Sequence, residues 1–146
     1  MSEVDRPAPA ISTGGRDLVF FDGECALCDH AVRLLLRLDR HERLAFAPLH
    51  GATARHLAVA EPPGDAGSIL FFPAGGGAPL RRSRAVVAIL RAIGGPCRLA
   101  GALLCLLPTA LADRLYDVVA WSRRRWFGPV RACSRSHRAP GGRLLP

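Results

Sequence analysis

Short apolar runs alternate along the chain with longer segments of helical period. Leu18-Val19-Phe20-Phe21 is an aromatic and β-branched run closed by Asp22-Gly23, the pattern of a buried strand ending in a turn. From Cys25 the period lengthens: Leu27, Ala31, Leu34, Leu35 and Leu38 recur at helical spacing, with Asp29, Arg33, Arg37 and Arg40 on the other side. That spacing predicts an amphipathic helix packed on a sheet through the five apolar positions, with Asp29 and Arg33 paired at i, i+4. The polar link from Asp39 to Arg43 leads to a second strand, Leu44 to Ala47, ended near Pro48. Strand, helix and strand make a β-α-β unit.

Residues 51–60 read as a short helix broken by Pro62-Pro63-Gly64, and Ser68 to Phe72 as a third strand. Gly75-Gly76-Gly77 turns the chain into a short edge strand, Ala78 to Arg81, giving a hairpin. Ser83 stands where an N-cap belongs, ahead of a helix through Ala85, Val86, Ile89, Leu90 and Ile93 that Gly94-Gly95-Pro96 ends. Two more helices follow, about 98–107 and 109–125, the second with Leu111, Leu115, Val118 and Val119 on one side. The expected class is therefore α/β: a thioredoxin-like β-α-β, β-hairpin, α core with two additional C-terminal helices. One domain over 17–128 is expected, between a flexible N-terminus (1–16) and a basic, disordered tail (129–146).

Composition sharpens this picture in two places. The 146 residues carry 20 basic and 12 acidic side chains, and every basic one is arginine. Seven of those arginines and no acid lie from Trp121 onward, so the net +8 leaves only +1 for the first 120 residues. A near-neutral domain with a basic end argues against a nucleic-acid binder, which spreads arginine over a folded face interleaved with aromatics. The first sixteen residues hold no apolar core of a secretory signal. The longest uncharged apolar run, between Arg98 and Asp113, has 14 residues and is interrupted by Pro108, whereas a membrane span takes about 20. It reads as a buried helix stopping before a proline, with shallow membrane-surface contact as the alternative. Five cysteines, an odd count, and no export signal point to a reducing cytoplasm. In that compartment paired cysteines are catalytic or metal-binding more often than structural.

The pair in question is Cys25-Ala26-Leu27-Cys28. Disulfide exchange takes a thiolate that attacks and a second thiol near enough to resolve the mixed disulfide, and a three-residue offset in a first helical turn supplies that proximity. Unpaired amides at a helix start favour the anion, which makes Cys25 the exposed nucleophile and Cys28, one turn deeper, the resolving thiol. Ala26 and Leu27 bring no cation, and His30 reads as a surface residue. Asp22 either accepts the thiol proton or forms an Asx-turn with Gly23. Zinc is the rival use of the pair, yet Cys97, Cys105, Cys133, His50 and His56 offer no second knuckle. No cofactor is called for. Cys105, inside an apolar helix, reads as buried, and Cys133 as a free thiol in the basic end.

The segment Phe21-Asp22-Gly23-Glu24-Cys25-Ala26-Leu27-Cys28, followed by an arginine-rich amphipathic helix, closely resembles the DCC family of predicted thiol-disulfide oxidoreductases. Ser83-Arg84-Ala85 matches that family's Ser-x-Ala helix start. Leu107-Pro108 with Asp113, Tyr116-Asp117, Ala120, Arg123 and Trp126-Phe127-Gly128 is similar to its C-terminal signature, and Cys133 falls near a cysteine often found there. Ala112 stands where the family usually has arginine, and Ser136 or its neighbours replace a common proline. The resemblance implies a thioredoxin-like fold and exchange of the dithiol with protein or small-molecule disulfides, recycled by a separate reductant. The other expected role is a non-enzymatic adaptor that docks a partner or an anionic membrane surface through the C-terminal helices and tail.

Overall fold

The computed structural model describes residues 13–23, 25–57, 59, 69–126 and 142–145. Among them the chain runs β1 (Asp17–Phe21), α1 (Ala26–Leu38), β2 (Leu44–Pro48), α2 (Ala52–His56), β3 (Leu70–Phe72), β4 (Leu80–Arg81), α3 (Arg82–Ile93), α4 (Gly95–Leu106) and α5 (Thr109–Trp126). The sheet order is β2-β1-β3-β4. β1 lies parallel to β2, with Val19 opposite Phe46 and Phe21 opposite Pro48, and antiparallel to β3. β3 and β4 form the antiparallel hairpin. This is the thioredoxin-like arrangement that the order of elements predicts.

Strand alternation sends the side chains to two cores. Val19, Phe21, Leu44, Phe46 and Phe71 face Val32 of α1 and Ala85, Ile89 and Ile93 of α3. Leu18, Phe20, Ala45, Ala47 and Leu70 face Ala54 of α2 on the opposite side. Both faces of the central strands are covered, which explains why they read as continuous apolar runs rather than as an alternation.

Four expectations are corrected. Helix α1 has the expected extent, and the Asp29–Arg33 ion pair forms at 2.9 Å, but the inward face is not the one counted from its leucines. Val32 is buried and Cys28, Leu35 and Leu36 pack on the core, while Ala31, Leu34 and Leu38 are exposed. Asp39, at the end of the helix, fixes this rotation. Its buried carboxylate accepts from the backbone N–H groups of Arg43 (3.1 Å) and Leu44 (2.9 Å), which holds that side of α1 against the sheet. Ser83 is not an N-cap. The helix starts at Arg82, and the buried Ser83 hydroxyl donates to Asp113 of α5.

The apolar run after Arg98 does form a helix that stops before Pro108, yet it is not buried. Gly101 presses against α3, where an added Cβ would stand 3.2 Å from Leu90 Cβ, and Leu99, Leu103 and Leu106 point outward. The end of the chain is not loose throughout. Residues 127–141 lie outside the described residues, but Gly142–Leu145 lies along the outer edge of β2. There Phe46 N donates to Arg143 O (2.7 Å) and Leu145 N to Phe46 O (2.8 Å). Arg143 is buried and pairs with Asp39 at 3.2 Å, also donating to Leu36 O. An ion pair this dry holds only because the carboxylate's remaining lone pairs are met by backbone N–H groups.

Candidate active site

The C-terminal end of β1 delivers the chain to the site. Phe21 O accepts from Leu49 N (2.8 Å), tying the end of β1 to that of β2. The next residues pass so close over β2 that a Cβ on Gly23 would meet Pro48 Cβ at 3.1 Å. Glycine here is a matter of clearance, which a turn reading of Asp22-Gly23 does not reveal. Cys25 N then donates to Asp22 O at 3.3 Å, closing the turn that leads into α1.

Cys25 is the N-cap of α1. Its backbone is extended (φ −100°, ψ 120°), its carbonyl accepts from Asp29 N at 3.0 Å, and its Sγ accepts from Cys28 N at 3.5 Å. The sulfur occupies the place that a serine or aspartate oxygen fills in an ordinary cap. An amide N–H therefore points at the sulfur, with the positive end of the helix behind it, a setting that accommodates negative charge. Both cysteines are free thiols.

Their exposure differs from expectation. Cys25 is only 8% exposed, because the turn from Asp22 tucks it against the sheet, whereas the nucleophile was expected in the open. Cys28 is half-buried and packs on the core cluster around Val19, Val32 and Phe71, one helical turn in from the cap. Asp22 is half-buried at the strand end and contributes its carbonyl to the turn. His30 is exposed, as read from the sequence. Cys97 is half-buried against the same core as α3, and Cys105 is exposed rather than buried, since it lies on the outward side of α4. Cys133 lies outside the described residues. Among the described residues no three His, Cys, Asp or Glu side chains converge as a metal site.

The residues that resemble a C-terminal signature have a structural place of their own. Asp113 accepts from Ser83, Tyr116 Oη accepts from Ile69 N at 2.9 Å, and Asp117 pairs with Arg82 at 3.5 Å. They fasten α5 to the start of α3 and to the residue that leads into β3, the strand paired with β1. No periodicity announces this, because the contacts link residues 30 to 47 positions apart.

A family model described as DCC1-like thiol-disulfide oxidoreductase matches residues 19–129, which run from β1 past the end of α5. The chain belongs to that family. An uncharacterized protein of Bacillus subtilis, YuxK, is 28% identical over 131 residues, covering 88% of this chain and 93% of its own. A chloroplastic DCC family protein of Arabidopsis thaliana is 28% identical over 120 residues, covering 81% of this chain and 69% of its own. No solved structure matches. A redox role in general follows from membership in the DCC1-like family.

Proposed function

We propose that this DCC1-like protein is a cytoplasmic thiol-disulfide oxidoreductase working through the Cys25–Cys28 pair. The observation that carries the reading is the Cys25 sulfur at the cap of α1, accepting the N–H of the residue that bears the second thiol. The Cys25 thiolate attacks one sulfur of a protein or small-molecule disulfide. A Cys25–substrate disulfide forms, and the other substrate sulfur leaves as a thiolate that takes up a proton. Cys28, having given up its proton, attacks the Cys25 sulfur, closes the Cys25–Cys28 disulfide and releases the second substrate thiolate. The substrate gains two electrons and the protein loses two, which an external dithiol or glutathione restores. In this reading Asp22, at the turn into α1, takes the Cys25 proton, and the Cys28 proton passes to the departing substrate thiolate.

The low exposure of Cys25 favours substrates that present a disulfide on an extended or flexible segment. Disulfide-reduction turnover, with glutathione as recycling reductant, tests the reading. Cys25→Ser is expected to abolish turnover. Cys28→Ser is expected to trap a mixed disulfide that mass spectrometry detects. Turnover that survives Cys25→Ser, or a pair that never cycles between dithiol and disulfide in glutathione buffers, overturns it.

A further inference from the structure

Helices α4 and α5 are built inside out relative to the rest of the domain. Their inward positions are mostly small or polar: Cys97 and Gly101 on α4, then Ala112, Asp113 and Tyr116 on α5, facing α3 and the approach to β3, while the exposed Asp117 reaches Arg82 from the side. Their outward positions carry Leu99, Leu103 and Leu106 on α4, and Leu111, Leu115, Val118, Val119, Trp121 and Trp126 on α5, with Leu106 and Trp126 about four-fifths exposed at 81% and 80%. Scattered apolar residues on a surface are ordinary, but nine large exposed ones on two successive helices mark a binding surface.

Charge narrows the choice of occupant. Asp113 and Asp117 are the only acids on the two helices, and both are engaged with α3. Exposed Arg98, Arg114 and Arg125 stand among the outward apolar residues, and Arg125 lies 6.0 Å above the Trp121 ring. A second copy docked on this face would bring like charges together with only Asp117, already paired with Arg82, to answer them. An anionic surface that also accepts leucine and tryptophan answers both features, and that is the chemistry of an acidic phospholipid bilayer.

Lying along that surface suits these helices better than crossing it. No single described helix is long and apolar enough, the two together are bent by 114° at Pro108, and the contacts to Ser83, Ile69 and Arg82 hold α5 to the domain. We infer that the outer faces of α4 and α5 lie in the headgroup region of an anionic membrane and hold the domain, with its dithiol, at that surface. The inference concerns location and stands apart from the chemistry proposed for Cys25.

Both tryptophans of the chain are on this face, so intrinsic fluorescence of the full-length protein reports on it directly. Phosphatidylcholine vesicles containing phosphatidylglycerol are expected to shift the emission to the blue and to co-sediment the protein. Phosphatidylcholine alone is expected to do neither, and added salt to reverse the effect. Arg114→Glu with Arg125→Glu is expected to weaken partitioning by about tenfold or more, at roughly 1 kcal/mol for each basic residue near such a surface. Leu103→Glu with Val118→Glu is expected to abolish the shift while circular dichroism stays unchanged, and Cys25→Ser to bind as the parent does.

Equal binding to neutral vesicles, or no shift with either, overturns the inference. So does a solution dimer dissociated by Leu103→Glu, which assigns the face to a second copy. Emission already blue and shielded from acrylamide in a monomer assigns it to the chain's own residues 127–141 and overturns the inference equally.

Discussion

The domain through α3 and the two helices that follow Gly94 differ in what they turn inward. Up to Ile93 the interior is apolar apart from Asp39 and Ser83: Ala85, Ile89 and Ile93 of α3 meet Val19, Phe46 and Phe71, and α3 turns Arg84 and Arg91 to water. After Gly94 the groups turned inward include a cysteine, a glycine, an alanine, an aspartate and a tyrosine, with a buried arginine at the chain end, and the outward groups include leucine, valine and tryptophan. Amphipathicity thus fixes that a helix has two unlike faces, but not which one the protein covers. A polar face is drawn inward when fixed partners wait for it, because a met hydrogen bond removes the desolvation cost that otherwise keeps polar groups outside.

Four substitutions sharpen or break this comparison, and all can be read as shifts in the urea midpoint at constant slope. Arg143→Ala is expected to have the largest effect, about 3–5 kcal/mol, because it leaves the buried Asp39 carboxylate without its counter-charge. A loss below about 1 kcal/mol means that the chain end does not hold α1 to β2. Ile89→Ala, on the conventional side, is expected to lose about 2–5 kcal/mol by opening a cavity between α3 and the sheet. Asp113→Ala is expected to fall lower, at about 1–3 kcal/mol, since it strands the buried Ser83 hydroxyl. If it matches an ordinary surface change, α5 is held by something other than its polar contacts. Val118→Ser is expected to stay within about 0.5 kcal/mol of the parent. A clear destabilisation there means that the outward face is covered within the molecule itself.

The site is more legible in the sequence than its surroundings. The strand, the turn and the Cys25–Cys28 spacing are local, and the structure places both thiols at the first turn of α1 as read. The burial of Cys25 is not legible, because no local pattern specifies how the chain around the turn packs; Gly23, for one, passes close to Pro48, a residue 25 positions away. Ser83 looked like a cap for an equally local reason, and only the arrival of Asp113 from α5 shows its hydroxyl to be a cross-link instead. Cys105 lies in an apolar helix that is nonetheless exposed, since composition does not say which helix the rest of the chain covers.

Short-range pattern alone determined the β-α-β unit, the hairpin, the extent of α1 and α5, and the dithiol at the junction of β1 and α1, because backbone geometry and turn chemistry act within a few residues. Only the tertiary structure decided which face of α1 is inside, that Arg143 returns to Asp39, and that α4 and α5 show their leucines and tryptophans to the surroundings. Those outcomes rest on contacts between distant parts of the chain, where the burial of one charged or hydroxyl group depends on a partner whose position no local pattern specifies.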